Sequence, residues 1–158
     1  FRSKVGEALA ARMAELDAAN AVAYQTGYQA FAGKWQAAMM RWQKEAAPLK
    51  GVPVLVHHAS FVYLLNWLGM KEVGTLEPKP GIEPSSGHLT DLLARQQTVP
   101  AKMVLRAAYQ QEGPSQWIAG KTGIPAVMLP YTVGGTPEAK DLFGLFDDTI
   151  QRLLKGLR

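Results

Sequence analysis

The chain has 158 residues, a formal net charge of +4 and a hydrophobic fraction of 47%, values typical of one globular domain. Its basic residues are scattered along the chain, which argues against a nucleic-acid interface. The absence of cysteine excludes disulfide scaffolds and thiolate sites, and no apolar run approaches the roughly 20 residues that span a bilayer.

The first 16 residues are rich in alanine and predict an amphipathic helix. Its apolar residues recur at helical spacing: Val5, Leu9, Met13 and Leu16. Asp17 is predicted to cap the next element. Because the chain starts with Phe1, already inside this helix and without a signal peptide, we expect it to be a piece of a longer protein.

Residues 18–47 contain no proline and predict one long helix that ends near Pro48 and Gly51. One face carries a regular stripe: Ala21, Tyr24, Tyr28, Phe31, Trp35, Met39, Trp42 and Ala46. Thirty helical residues extend about 45 Å, whereas a compact domain of this size has a radius of gyration near 15 Å. The stripe therefore fits either a core helix or a strut shared with a second domain.

After Gly51 the pattern alternates between apolar strands and helices. The predicted strands are 52–57, 70–76, 101–108 and 124–130. The predicted helices are 60–67, 86–97, 113–122 and 137–157. This order predicts an α/β fold: a parallel four-stranded sheet flanked by helices and preceded by the long helix.

Several polar residues are predicted to mark the ends of these helices. The predicted N-caps are Ser60, Ser85 or Ser86, and Thr136, which precedes Pro137 at the first helical position. Asp147 and Asp148 fall inside the last helix, where a solvated face is expected.

His57 and His58 lie at the carboxyl end of the first predicted strand, where ligands sit in parallel sheets. An imidazole there either hydrogen-bonds at the strand end or holds a metal ion. Neighbours in a strand point to opposite faces, so at most one of the pair should face a given site. His88, the third histidine, is predicted to be exposed. Three histidines without cysteine cannot form a closed four-ligand site of soft ligands.

Catalytic motifs are poorly matched. Ser60 lies two residues after His58, but closeness in sequence does not make a catalytic triad. No G-x-S-x-G turn is present. The "GKTG" stretch (120–123) lacks the glycine spacing of a phosphate-binding loop and ends a predicted helix instead of starting one.

The stretch H-A-S-F-V-Y…W-L-G (58–69) resembles a motif of the solute-binding proteins of zinc and manganese ABC importers, the TroA-like family. Four other stretches agree with that family's motifs in the same order. They are "LDAANAVAYQ" (16–25), "APLKGVPVLVHH" (47–58), "IEPSSGHLTDLL" (82–93) and "IAGKTGIPAVML" (118–129).

The resemblance implies two α/β lobes joined by a rigid helix, with the metal ion between the lobes. Residues 1–50 would then hold the first helix and the connecting helix, and residues 51–158 the C-terminal metal-binding lobe. The N-terminal lobe, which normally supplies two histidines, would be missing. In this lobe His58 matches the family's ligand position, and His57 is the less favoured ligand. Tyr131 and Thr132 are expected to line the same cleft.

The family often supplies an aspartate after its fourth strand, but residues 129–135 contain no carboxylate. That departure favours Zn²⁺ over Mn²⁺, because Mn²⁺ prefers oxygen ligands. It also fits a branch that has lost part of its site. The resemblance thus implies a receptor, not an enzyme, that captures Zn²⁺ outside the inner membrane, in the periplasm or another extracytoplasmic space, for an ABC permease. The alternatives are a manganese or iron receptor, or a small α/β enzyme with its pocket at the strand ends.

Overall fold

The structure, a computed structural model, describes the backbone of residues 2–158 and the side chains from Lys4 onward. The chain divides into two compact units, Phe1–Arg41 and Trp42–Arg158, and the division falls inside a long helix. The boundary predicted from the sequence, after residue 50, lies beyond the end of that helix.

The first unit contains helix α1 (Arg2–Leu16), a 3₁₀ turn (Ala18–Asn20) and most of helix α2 (Ala21–Glu45). The predicted long helix is confirmed, because α2 continues unbroken for 25 residues. Every residue of the predicted stripe is buried or half-buried, whereas Val22 and Met40 on the other side are exposed.

Helix α1 forms as predicted, but its four larger apolar residues are exposed within the described chain. The residues that pack are small ones. Ala10 is buried, and a Cβ placed on Gly6 would lie 3.2 Å from Cε2 of Tyr28 in α2. The face of α1 that carries Gly6 therefore lies against the side chain of Tyr28.

Asp17 precedes the 3₁₀ turn, but its carboxylate does not cap the backbone. It accepts hydrogen bonds from the side chains of Asn20 and Tyr24, each at 2.8 Å. The carboxylate therefore joins the turn to the first residues of α2 through side chains.

The second unit is an α/β lobe, and its parallel four-stranded sheet confirms the predicted fold class. The strands are β1 (Pro53–Val56), β2 (Lys71–Thr75), β3 (Met103–Ala107) and β4 (Ala126–Leu129), in the spatial order β2-β1-β3-β4. All neighbouring strands run parallel. The helices are α3 (Val62–Leu68), α4 (Ser86–Gln96), α5 (Gly113–Thr122) and α6 (Leu142–Leu157).

Two apolar layers enclose the sheet. On one face, Leu55 and Val104 pack with Leu89 and Leu92 of α4 and Ile118 of α5. The alternating residues of the same strands point to the other face. There α6 packs against β4 so closely that a Cβ on Gly156 would lie 2.5 Å from Cγ2 of Val127.

An aromatic cluster fixes the end of α2 to this lobe. Trp42 is fully buried, stacks on Phe146 of α6 at 4.9 Å and meets Trp67 of α3 edge to face at 6.5 Å. Its indole nitrogen donates a 2.6 Å hydrogen bond to Asp147. Trp42 therefore belongs to the core of the second unit.

Two of the predicted N-caps are wrong. Helix α3 begins after Phe61, and the Ser60 hydroxyl donates instead to the carbonyl oxygen of His58 at 3.4 Å. Helix α6 begins after Asp141, whose carboxylate accepts from the Gly144 amide at 2.8 Å. The predicted cap of α4 is correct, with Ser85 accepting from the His88 amide at 3.3 Å.

Thr136 does not cap a helix because α6 begins only at Leu142. Its hydroxyl accepts from the Ala139 amide at 3.3 Å and donates to Asp148 at 2.6 Å. Arg152 also donates to Asp148, at 2.7 Å. The expectation of a solvated face for Asp147 and Asp148 is therefore wrong, since Asp148 is buried and Asp147 holds Trp42. In the part of the chain that the structure describes, no helix has both the length and the hydropathy needed to cross a bilayer.

Candidate metal centre

The order of the strands fixes where a site can form. From β1 the chain moves outward to β2 and then returns past β1 to β3, so the connections leave β1 and β3 in opposite directions. A crevice opens at the carboxyl ends of strands at such a switch point. The first residues after β1 and after β3 therefore face each other across one cleft.

A cleft of about 400 Å³ lies at this place. The residues that line it are His57, His58, Glu77, Gly81, Glu83, Pro84, Tyr109, Gln110, Gln111 and Pro114. They come from the segments after β1, β2 and β3. Besides the hydroxyl of Tyr109, they include two imidazoles, two carboxylates and two side-chain amides. The cleft is thus a polar pocket at the edge of an apolar lobe.

His57 continues the sheet by one residue. Its amide donates to Leu105 of β3 at 2.7 Å, and its carbonyl oxygen accepts from the Glu77 amide at 3.1 Å. The side chain is buried, and within the described chain its Nδ1 atom has no hydrogen-bond partner. Burial, helped by the nearby charges of Arg106 and His58, lowers the pKa of His57, although Glu77 opposes that shift. Burial therefore favours the neutral form of this ring.

His58 differs from its neighbour in exposure and in partners. Its side chain is 33% exposed, and its Nδ1 atom lies 2.7 Å from Oε2 of Glu77. Since an ionised carboxylate only accepts hydrogen bonds, the ring donates from Nδ1. The second ring nitrogen, Nε2, keeps its lone pair in that tautomer.

Glu77 is the functional candidate that the sequence interpretation missed. Its Oε2 atom also accepts from the Gly81 amide at 2.9 Å, and its Oε1 atom lies 3.9 Å from Nε2 of His57. Burial by itself would raise the pKa of Glu77. The hydrogen bonds from His58 and Gly81, together with the two imidazoles when they are protonated, outweigh burial and lower that pKa. Because Glu77 is the second residue after β2, as His58 is the second after β1, the strand-end rule could have identified it.

The other wall of the cleft is fixed by Gln110. Its side-chain oxygen accepts from the Ala107 amide at 2.7 Å, and its own amide donates back to Ala107 at 3.0 Å. These two hydrogen bonds close a tight turn at the end of β3. The turn carries Tyr109, whose side chain is exposed.

Tyr131 lies beside this wall. Its ring meets Tyr109 edge to face at 5.3 Å and the buried Phe61 at 5.8 Å. Its φ of 66° is in the left-handed region, uncommon for a residue with a side chain. Thr132 follows, with its amide donating to Pro130 at 2.8 Å.

His88 lies outside the cleft, and the expectation that it is exposed is wrong. It is partly buried, and its Nε2 atom lies 2.9 Å from the carbonyl oxygen of Thr75. It therefore joins α4 to the end of β2. Among residues 4–158, no group of three or more histidine, aspartate or glutamate side chains is placed to hold a metal ion.

Comparison with solved structures shows the same fold in metal-binding proteins. A crystal structure of ZnuA superposes with a TM-score of 0.77 at 22% identity, covering 95% of this chain and 56% of that one. The FpvC solute-binding protein of Pseudomonas aeruginosa in complex with Mn²⁺ gives a TM-score of 0.68 at 19% identity, with 94% and 56% covered.

A Zn(II)-bound variant of AdcAII from Streptococcus pneumoniae gives a TM-score of 0.72 at 21% identity, covering 99% of this chain and 57% of that one. The chain therefore spans little more than half the length of these solved relatives. A comparison with curated proteins gave no match.

A family model described as zinc-uptake complex component A, periplasmic, matches residues 2–156. That match covers nearly the whole chain and agrees with the motifs between residues 16 and 129. The chain belongs to the family of zinc-uptake complex component A proteins.

Proposed function

We propose that this chain is the metal-binding lobe of a solute receptor that captures Zn²⁺ and delivers it to an ABC permease. The observation that carries the proposal is the position of His58. It lies at the carboxyl end of β1, one-third exposed, in the cleft at the switch point of the sheet. A partly exposed imidazole in such a place is a suitable metal ligand.

A single lobe is insufficient for tight binding. His58 offers one nitrogen, and the described side chains do not gather three ligands around one point. Metal affinity comes from several ligands held together. The proposal therefore requires further ligands from a second lobe facing the cleft, with α2 as the connection between the lobes.

The proposed preference for zinc rests on donor chemistry. The loop after β4, residues 130–135, has no carboxylate, and Mn²⁺ favours oxygen ligands whereas Zn²⁺ accepts imidazole readily. A solved relative carries Mn²⁺, which supports manganese as the alternative cargo, and iron is the other alternative within this class of receptor. Tyr131 and Thr132 are proposed to border the closed site, because their loop lies at the same edge of the sheet.

The proposed location is the periplasm or another extracytoplasmic space, and the proposed partner is the permease of the importer. The family's description supports both. In this role the protein binds and releases its cargo without a chemical step, so no catalytic residue is required.

The test is metal analysis and calorimetry on the full-length protein and its His58→Ala variant. We expect one equivalent of Zn²⁺ in the parent protein and at least a tenfold weaker affinity in the variant, about 1.4 kcal/mol. Competition with Mn²⁺ in the same assay decides the cargo.

The chain of residues 1–158 alone provides the control, and it is expected to bind zinc weakly. A tight one-to-one site in this chain would contradict the proposal and point to His57 and His58 acting together. Unchanged affinity in His58→Ala would show that this lobe gives no ligand at that position.

A further inference from the structure

Glu77 makes three polar contacts at the cleft, and none is needed to build the sheet. Its Oε2 atom accepts from Nδ1 of His58 at 2.7 Å and from the Gly81 amide at 2.9 Å. Its Oε1 atom faces Nε2 of His57 at 3.9 Å. The carboxylate is only 15% exposed, so these contacts are shielded from water.

The choice of atoms matters for metal binding. Because Oε2 already accepts from a backbone N–H, the atom acts as an acceptor, and the Nδ1 atom of His58 must be the donor. A neutral imidazole that donates from Nδ1 has its lone pair on Nε2. In many metal sites a carboxylate accepts a hydrogen bond from the ring nitrogen of histidine that does not bind the metal. That hydrogen bond fixes the tautomer and orientation of the ring and raises its basicity.

We propose that Glu77 is a positioning residue that holds His58 in the Nδ1–H tautomer and keeps its Nε2 atom available to the metal ion. This inference rests on the proposed function, since it assigns His58 as the ligand. It adds a residue that does not touch the metal and that acts only through the imidazole.

The Gly81 contact explains how the carboxylate is itself held. The segment after β2 turns back at Lys79, whose carbonyl oxygen accepts from the Ile82 amide at 3.0 Å, and Gly81 has a left-handed φ of 80°. That turn places the Gly81 amide on the same oxygen as His58. The proline-rich loop thus fixes Glu77, and Glu77 fixes the ring.

Glu83 is a matched control. It lines the same cleft and carries the same charge, but no hydrogen bond joins it to His58 among the described residues. If the cleft required only negative charge, both glutamates would matter equally. If Glu77 acts through the ring, only Glu77 will matter.

The first measurement is the tautomer, and it requires no metal and no variant. Long-range ¹H–¹⁵N spectra of the full-length apoprotein at about pH 8.5, above the ordinary imidazole pKa, report which ring nitrogen of His58 carries the proton. We expect the Nδ1–H form in the parent protein and a shift toward Nε2–H in Glu77→Leu. An Nε2–H ring in the parent protein would overturn the inference, whatever the metal assays give.

The second measurement is Zn²⁺ affinity by competition with a chromogenic chelator. Glu77→Leu is expected to weaken binding about 10- to 100-fold. Glu77→Gln keeps a neutral hydrogen-bond acceptor, so its loss of Zn²⁺ affinity should be smaller. The Zn²⁺ affinity of Glu83→Leu should stay within about twofold of that of the parent protein. Equal losses in Glu77→Leu and Glu83→Leu would overturn the inference.

The double variant separates a positioning residue from a ligand. With His58→Ala already present, Glu77→Leu should cost no more than about twofold, because its effect passes through the missing ring. A further tenfold loss would show that Glu77 binds the metal directly and would overturn the inference. If His58→Ala alone leaves affinity unchanged, the proposed function fails at this residue, and the tautomer spectrum still decides the role of Glu77.

Discussion

Two carboxylates of the second unit, Asp148 and Glu77, are largely shielded from water. They differ in whether the side chains that donate to them keep another polar atom available for a ligand. Asp148 on α6 accepts from Thr136 and Arg152, whose donor groups are used inside the lobe. Glu77 accepts from His58, whose second nitrogen remains available at a cleft. A buried carboxylate with satisfied partners supports the fold, whereas one that orients a half-exposed imidazole prepares a site.

The two networks also differ in what surrounds them. Asp148 ties the loop before α6 to the helix, so its loss should disturb folding. Glu77 and His58 lie past the ends of their strands, where backbone hydrogen bonds already fix the chain. The comparison therefore predicts that changes at α6 affect stability and that changes at the cleft affect metal binding.

The largest effect is expected from Asp148→Ala. The substitution leaves the Thr136 hydroxyl and the partly buried Arg152 without their shared acceptor, and we expect a loss of about 3 kcal/mol in the free energy of unfolding. Urea denaturation measures it. Zn²⁺ affinity should be unchanged below the unfolding transition.

Glu138→Ala is the control, because Glu138 binds the same Arg152 from an exposed position at 3.2 Å. The free energy of unfolding of Glu138→Ala should fall by no more than about 0.5 kcal/mol. Similar losses in the two variants would contradict the view that burial, and not the ion pair alone, makes Asp148 important.

His57→Ala tests the comparison inside the cleft, where two neighbouring imidazoles are assigned different roles. The His57 side chain is 7% exposed and packed in the lobe, so we expect a loss of about 2 kcal/mol in the free energy of unfolding. Zn²⁺ affinity of the full-length protein should change by less than about threefold. Thermal denaturation and calorimetry on the same samples give both quantities.

His58→Ala should show the reverse pattern, with little change in stability and weaker zinc binding. If zinc affinity falls only in His57→Ala, the assignment of the ligand is wrong by one residue. That outcome would give the unpartnered Nδ1 atom of His57 the role proposed for His58.

The sheet could be predicted from the sequence because its signals are local. Apolar runs bounded by glycine and proline mark each strand, and the stripe from Ala21 to Ala46 marks one helix face. Two caps were wrong because several residues near a helix start can cap it. Thr136 and Asp141 are both residue types that cap helices, and the Thr136 hydroxyl does accept from the Ala139 amide at 3.3 Å. The helix nevertheless begins only after Asp141.

The networks of carboxylates could not be predicted in the same way. The partner of Asp147 is Trp42, 105 residues earlier, and no local pattern joins them. Glu77 is hard to predict because β2 is a weak strand with an exposed start, so the sequence marks the end of that strand poorly. Whether His58 binds metal, with Tyr131 and Thr132 nearby, stays a prediction.

The smallest effect is expected from Asp17, a carboxylate at the surface of the first unit. Hydrogen bonds from Asn20 and then Tyr24 lower the pKa of Asp17 below its ordinary 3.8. A carboxyl group with a lower pKa in the folded state stabilises the fold above its unfolded pKa, and that contribution disappears as the pH falls through the folded value. Asp17→Asn keeps the shape of the side chain and removes the titration.

Thermal midpoints of the parent protein and of Asp17→Asn, measured from about pH 6 down to about pH 3, test this sign. The parent should be the more stable protein at the upper end, and its advantage should shrink as the acid protonates Asp17. Two curves that stay parallel would mean that Asn20 and Tyr24 do not favour the ionised form. The effect should remain well below those of Asp148→Ala and His57→Ala, because water screens the charge of a surface carboxylate whereas the lobe shields the two buried groups.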